Sequence, residues 1–265
     1  MPSARRGALA AALALVVAAP APAKVIAPAP IPARVAKSDA VLVGKVAKIT
    51  PEAYKAPDGA EYSVAFVEVK DALSGVKGAT LVRVAFHAGE NRRFPHLNLQ
   101  AGQEGLFFLR YLNDKDSTLT APMYYDVVDK KNADAFKVEL AEAQRCAKLL
   151  EAPEAGLTSK DADERLLTAA LLVLQYRTAR DGAGRFEPAD AKLSRLILLA
   201  LADADWNKQG PYPLMPQALF MQLGLTEKDG WARPQAADQF QAAARKWLKE
   251  HADTYRIQRV VAPKK

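Results

Sequence analysis

Metal-binding side chains cluster in one short stretch, where His87, Glu90 and His96 fall within ten residues. Imidazole nitrogens and carboxylate oxygens are common ligands of zinc and other transition metals. The spacing of the three residues matches no known ligand motif, however, and the stretch is rich in turn-forming residues. We therefore predict exposed loop residues here, with neither a metal site nor a bound cofactor.

The spacing of Ser74 and Lys77 matches the Ser-x-x-Lys pattern of penicillin-recognising enzymes, which place both residues on adjacent turns of a buried helix. Gly75 and Gly78 favour a hairpin turn here, and the Ser-Asp-Asn and Lys-Thr-Gly elements of those enzymes are absent from the sequence. The sequence also has no Gly-x-Ser-x-Gly elbow, phosphate-binding loop or dinucleotide fingerprint. These patterns predict no catalytic residue.

Contact with a binding partner is the role we consider for a second group of side chains. Tyr124 and Asp126 fall in a predicted strand of a barrel, and barrels of the OB type often bind through aromatic residues. Packing within the barrel explains these two residues equally well. Arg83 and His87 lie on the face of a predicted strand opposite its apolar residues. Trp231 follows a turn sequence and is either a partner contact or an anchor of the core.

The first 23 residues predict a secretory signal peptide. Arg5 and Arg6 precede a short apolar run, and small residues then lead to a predicted cleavage site between Ala23 and Lys24. A membrane-spanning helix needs about 20 apolar residues, so the run is too short to cross a bilayer. We expect export to the periplasm or the exterior. The arginine pair fits a twin-arginine signal only loosely, which favours Sec-type export and leaves the Tat route open.

Charge and cysteine content narrow the class of partner. The formal net charge is +7, but the basic residues are spread along the sequence rather than gathered in the patch that a nucleic-acid reader needs. The densest basic stretch is 245–265, which predicts a solvated tail or a contact with an anionic envelope surface. Cys146 is the only cysteine, so neither an intramolecular disulfide nor a lipid anchor at the cleavage site is expected.

Residues 38–131 read as a β-rich domain, preceded by an extended Pro/Ala-rich leader over 24–37. Alternation of apolar and polar residues is interrupted at Gly44, which predicts a bend or bulge in a long first strand. A bent first strand in a set of five is typical of a small Greek-key barrel. The predicted strands cover 40–49, 61–70, 79–87, 104–112 and 118–128.

Helical periodicity dominates the second half of the sequence. A connecting helix is predicted over 132–151, a helical domain over 152–254 and a basic C-terminal tail over 255–265. Within that tail, Tyr255 to Val261 is either a terminal strand or an extended segment that packs back on the body. The predicted helices of that domain cover 159–180, 188–204, 214–223 and 234–251. The fold class is therefore α+β, with a five-stranded OB-like barrel followed by a helical domain.

Four segments resemble a netrin-type, or TIMP-like, domain: SDAVLVGKV at 38–46, VEVK at 67–70, VRV at 82–84 and GQEGLFFL at 102–109. The resemblance covers roughly 31–130 and implies an OB-type barrel. Members of that family that inhibit metalloproteinases place an N-terminal cysteine on the zinc of the target. The matching region here contains no cysteine, so the resemblance does not imply that mode of inhibition. The whole architecture is also similar to secreted bacterial proteins with a barrel and a helical region.

The leading hypothesis for function is an exported, non-enzymatic interaction protein of the cell envelope, with the barrel as its binding module. The expected partner is an envelope protein or glycan. Two alternatives stay open. One is an envelope enzyme of the hydrolase type that uses carboxylates such as Asp126 and Asp129 or the loop histidines. The other is a secreted protease inhibitor, which would need an exposed N-terminal segment at the rim of the barrel.

Overall fold

A computed structural model describes residues 27–55, 61–87, 97–112, 117–178 and 184–261. The predicted signal peptide with its cleavage site at Ala23 and Lys24 lies outside the described residues, as do Glu90 and His96. Among the described residues, no helix has both the length and the apolar composition required to cross a bilayer.

The first half of the molecule contains a closed mixed barrel. Its strands follow the order β1-β2-β3-β5-β4, and β4 pairs again with β1. All these pairings are antiparallel except β3 with β5. Closure leaves no unpaired edge around the ring. The strands are β1 (Ala40–Lys55), β2 (Glu61–Ser74), β3 (Leu81–His87), β4 (Glu104–Tyr111) and β5 (Leu119–Thr120), and β6 (Val127–Asp129) pairs with β4 beside the ring.

Strand β1 closes the barrel because it pairs with two neighbours. It faces β2 along its length and faces β4 over Ala40 to Lys45. The register shifts between Val43 and Gly44, as the interrupted alternation predicts. Gly44 lies opposite Gly105, and a Cβ at Gly44 would come 2.6 Å from Cγ1 of Val67. The close approach of the strands at this bend therefore excludes a side chain.

The predicted fifth strand over 118–128 is wrong in its extent. After β5 the backbone leaves the ladder, forms a 3₁₀ turn at Tyr124–Asp126 and only then enters β6. Pro122 has no N–H group for a ladder hydrogen bond. The Asp126 carboxylate accepts a hydrogen bond from the Met123 backbone N–H at 2.9 Å, so a local contact replaces pairing between strands.

The extended leader predicted over 24–37 is wrong for its last residues, which form helix α1 (Ile31–Lys37). Pro32 lies in the first turn, where its missing N–H and fixed φ are compatible with a helix. Ala33 and Val35 are buried against the helices of the second half. Burial of this face stabilises a helix too short to persist alone.

Helices α2 to α7 form the second half around a central α4. The middle of α4 is buried on nearly all sides, which confirms the prediction from its apolar run. The predicted start at Pro188 is wrong, because Pro188 belongs to a strand and Asp190 caps the helix by accepting from the Leu193 N–H. The helices are α2 (Ala133–Glu151), α3 (Pro153–Leu157), α4 (Ala162–Arg177), α5 (Ala191–Asp203), α6 (Pro216–Gln222) and α7 (Phe240–Glu250).

The basic tail predicted over 255–265 is not free along its described part. Strand β8 (Gln258–Val261) pairs antiparallel with β7 (Arg185–Pro188), and Ile257 is completely buried. The Arg256 guanidinium donates from Nε to the Ala189 carbonyl oxygen at 2.7 Å. The tail through Val261 is therefore part of the fold as a terminal strand, one of the two predicted alternatives for this segment, and is not a solvated tail there.

Two apolar cores lie on opposite sides of the barrel wall. The barrel interior holds side chains such as Leu42, Val67 and Phe107. The larger core joins the helices to α1 and to Val41 and Phe108, which project from the opposite faces of β1 and β4. The barrel and the helices are thus packed directly against each other.

Candidate functional site

The outer surface of β1, β2 and β3 carries exposed and half-buried rings together with cations. Alternation places it opposite the barrel interior, because Ala65 and Val67 line the core while Phe66 points outward. We call this surface the aromatic–basic face. It comprises Tyr54, Tyr62 and His87 in one row and Lys48, Phe66 and Arg83 in another.

The first row contains one ring from each of three adjacent strands. Tyr62 lies opposite His87 in the β2–β3 ladder, with ring centroids 4.4 Å apart and planes inclined by 32°. Tyr54 lies opposite Tyr62 in the β1–β2 ladder, with centroids 6.1 Å apart in an edge-to-face arrangement. His87 is exposed and both tyrosines are half-buried. Aromatic pairs across strands stabilise such a row and fix its geometry.

The second row combines a half-buried ring with two exposed cations. Phe66 lies opposite Arg83 on one side and Lys48 on the other. The Lys48 ammonium lies 4.6 Å from the centroid of the Phe66 ring, within the range of a cation–π contact. Arg83 forms no ion pair with the described part of the chain. At ~3.3 Å per residue, the four residues from Tyr62 to Phe66 separate the rows by roughly 13 Å.

The sequence prediction of Arg83 and His87 as outward-facing residues agrees with their exposure. The other members of the aromatic–basic face were missed. In an antiparallel hairpin the start of one strand lies opposite the end of the next, so the predicted strands 61–70 and 79–87 already implied that Tyr62 faces His87. Tyr54 and Lys48 carried no such signal, because register shifts in β1 intervene.

Asp126 lies inside the molecule rather than on this face. Its carboxylate accepts from Nε of Arg34 at 3.1 Å, and Glu139 accepts from Nη1 of the same guanidinium at 3.0 Å. Arg34 also donates to the Tyr125 carbonyl oxygen and lies 4.0 Å from the centroid of the Phe108 ring. These residues form a buried junction cluster between α1, the 3₁₀ turn and α2.

Two opposing effects act on the pKa of Asp126 in the junction cluster. Burial raises the pKa of the Asp126 carboxyl, while the Arg34 guanidinium and the Met123 N–H act to lower it. A cleft of about 170 Å³ adjoins the cluster and is also lined by Lys37 and Arg110. Tyr124 is half-buried nearby, edge to face with Tyr125. Tyr124 and Asp126 therefore lie together, but apart from Arg83 and His87 on the barrel wall.

Trp231 lies in the helical half, at an aromatic cluster around Phe220. Its ring centroid is 4.7 Å from that of Phe220 and 5.8 Å from that of Phe240. It lines a cleft of about 330 Å³ and is half-buried. Trp206 and Trp247 instead donate their indole N–H groups to the carbonyl oxygens of other elements, which is the behaviour of anchors within the fold.

The remaining chemistry considered from the sequence has a structural explanation. Ser74 ends β2 and Lys77 lies in the turn before β3, where Lys77 pairs with Glu151. Burial raises the pKa of the Cys146 thiol to about 12, which makes a reactive thiolate unfavourable. Within the described ranges, no three or more His, Cys, Asp or Glu residues are grouped to hold a metal ion.

Comparison with family models and with curated proteins finds no match to this chain. The functional interpretation therefore depends on the geometry of its surfaces. The aromatic–basic face combines aligned rings with accessible cations, whereas the junction cluster is satisfied internally. Flat rings beside cations are suited to binding ligands that present ring faces and negative charges.

Proposed function

We propose that the protein is an exported, non-enzymatic interaction protein of the cell envelope that binds an acidic glycan on the aromatic–basic face. The observation that carries the proposal is the row of Tyr54, Tyr62 and His87 rings beside the cations Lys48 and Arg83. Sugar rings present C–H faces to aromatic rings, and carboxylate or sulfate groups pair with Lys and Arg.

The strand order supports the further proposal that the barrel is of the OB type. A ring in the order β1-β2-β3-β5-β4, with β3 parallel to β5, is the arrangement expected of a Greek-key barrel of five strands. Barrels of that type bind oligosaccharides and oligonucleotides on the face of strands two and three. The aromatic–basic face occupies those strands here. The netrin-type relationship is retained as part of this proposal.

Export is proposed from the leader alone. Its basic start, apolar run and small residues before Lys24 are the features that support it. The measurement is the N-terminal sequence of the protein recovered from culture medium and from envelope fractions. An N-terminus at Lys24 supports export, and an uncleaved chain in the cytoplasmic fraction contradicts it.

Binding is tested with the mature chain, from Lys24 onward, and a panel of oligosaccharides that exist in acidic and neutral forms. Calorimetry measures affinity for each form. We expect the acidic forms to bind and Tyr62→Ala to weaken them roughly tenfold, which corresponds to about 1.4 kcal/mol. Arg83→Ala should reduce affinity severalfold for acidic forms only, with a steep dependence on salt.

Matched controls are exposed residues far from this face. Tyr212 is 71 % exposed and Arg195 is half-exposed on α5, so Tyr212→Ala and Arg195→Ala should leave glycan affinity unchanged. Equal effects of control and site variants would contradict the proposal, as would the absence of binding across the panel. Cleavage of a panel member would favour the envelope-enzyme alternative. Inhibition of a secreted protease without glycan binding would favour the inhibitor.

A further inference from the structure

The helical half contains a second surface with the features of a binding site, which we call the aromatic cleft. It has a volume of about 330 Å³ and is lined by Phe220, Met221, Glu227, Trp231, Arg233 and Phe240, among others. We infer that the aromatic cleft binds a peptide segment that carries a large apolar side chain next to an acidic one. This inference is independent of the glycan proposal, because the cleft lies outside the barrel.

The floor of the aromatic cleft is a set of rings in edge-to-face contact. Phe220 is 2 % exposed, and the rings of Trp231 and Phe240 each lie within 6 Å of it and of each other. Such contacts restrict rotation of the rings. A large apolar side chain can thus meet a preformed surface.

The loop that bears Trp231 is held by hydrogen bonds. Asp229 accepts from both the backbone N–H and the hydroxyl of Thr226, at 2.9 and 2.8 Å. Its own carbonyl oxygen accepts from the Trp247 indole at 3.0 Å, which ties the loop to α7. A wall that is already ordered loses little conformational entropy when a ligand binds.

The rim offers charges that the protein itself leaves uncompensated. Arg233 and Glu227 are both exposed, and neither forms an ion pair within the described residues. Several other cations of the helical half are paired, as Lys192 is with Glu154. An Arg beside aromatic rings favours a carboxylate, which it can bind through two parallel hydrogen bonds. Glu227 can accept from a backbone N–H of the same ligand.

Another part of the lining, at Met221, can adapt its shape to a ligand. Met221 is 57 % exposed, although methionine is usually buried. An exposed Met at the edge of an apolar cleft accommodates side chains of different shapes. The net charge of +7 also favours an acidic peptide over a second copy of this chain, because like-charged copies repel.

The test uses the full mature chain and three blocked tetrapeptides, Ala-Asp-Phe-Ala, Ala-Lys-Phe-Ala and Ala-Asp-Ser-Ala. NMR follows the indole N–H signal of Trp231, assigned with Trp231→Phe. We expect the Asp-Phe peptide to shift this signal at lower concentration than the other two. In Arg233→Glu the preference should reverse toward the Lys-Phe peptide, which a general loss of structure would not produce. Lys228→Glu, a neighbouring exposed cation, should change affinity less than twofold.

Equal affinity for the three peptides, or no shift of the Trp231 signal up to millimolar concentration, would overturn the inference. So would dimerisation that competes with the peptides and is lost in Arg233→Glu, since the occupant would then be a second copy. Tyr62→Ala should leave peptide affinity unchanged. The glycan and peptide titrations therefore test the two proposals separately, and one proposal can fail without the other.

Discussion

The junction cluster and the aromatic cluster around Phe220 both connect distant elements, but by opposite means. In the junction cluster Arg34 meets Asp126 and Glu139, which are 92 and 105 residues away in sequence, through charged hydrogen bonds, of which the one to Asp126 is buried and the one to Glu139 is partly buried. Around Phe220 the contacts are between rings, and the indole N–H groups of Trp206 and Trp247 donate to carbonyl oxygens. Removal of one partner from a buried ion pair leaves an uncompensated charge and is strongly destabilising. Truncation of a ring lowers the stability of the fold only in proportion to the apolar surface that is removed.

The largest effect is expected from Arg34→Ala. It leaves Asp126 and Glu139 without their shared cation, and breaking a buried pair in this way costs about 3–5 kcal/mol. Denaturant unfolding measures the loss. The matched control is Arg195→Ala, which breaks the exposed pair with Asp253 and should cost less than about 1 kcal/mol. Similar losses for both variants would contradict the role of burial.

A smaller loss is expected from Phe220→Leu, because the apolar contacts are reduced but no charge is left unpaired. Loss of edge-to-face contacts and of part of the buried surface should cost roughly 1–3 kcal/mol. The loss should be the same between pH 4 and pH 8. A pH-dependent loss measured by the same denaturant method would show that the aromatic cluster also relies on charge.

The smallest effect is expected in the pH dependence of the free energy of unfolding, compared between the wild type and Asp126→Asn. Since burial raises the pKa of Asp126, the folded chain retains this proton to higher pH than the unfolded chain does. The stabilisation from this group is complete below about 3.9, the usual pKa of aspartate, and is lost as pH rises through the raised value. Wild-type stability, measured relative to Asp126→Asn, should therefore fall across that interval. A relative stability that rises with pH would show that the Arg34 attraction dominates instead.

Local patterns in the sequence predicted much of the barrel and most of the helices. Alternation located β2 and β3, and the apolar run located α4. Helix α1 could not be recognised, because a short segment with prolines on its N-terminal side is helical only through burial of residues such as Val35. The pairing of β7 with β8 joins residues 70 to 76 positions apart and has no local signature.

The candidate site residues also differ in whether a local sequence pattern or a distant contact determines their position. His87 was assigned to the outer face from alternation within one strand, whereas Tyr54 needs a register that runs through bulges. Asp126 was considered for a partner contact or for packing within the barrel on the assumption of a continuous strand. The hydrogen bond from Met123 turns the backbone at that point, and only the fold brings Arg34 to the carboxylate.

Strand β1 gives its two faces to different cores, with Leu42 in the barrel interior and Val41 among the helices. Unfolding of either half would therefore expose apolar side chains that pack against the other half. We read this as thermodynamic coupling: the molecule should unfold in one cooperative transition, and the amides of β1 should exchange with solvent only through global opening. The change from the β-rich pattern to the helical one near residue 132 is therefore a change of secondary structure, and we do not expect the protein to divide there.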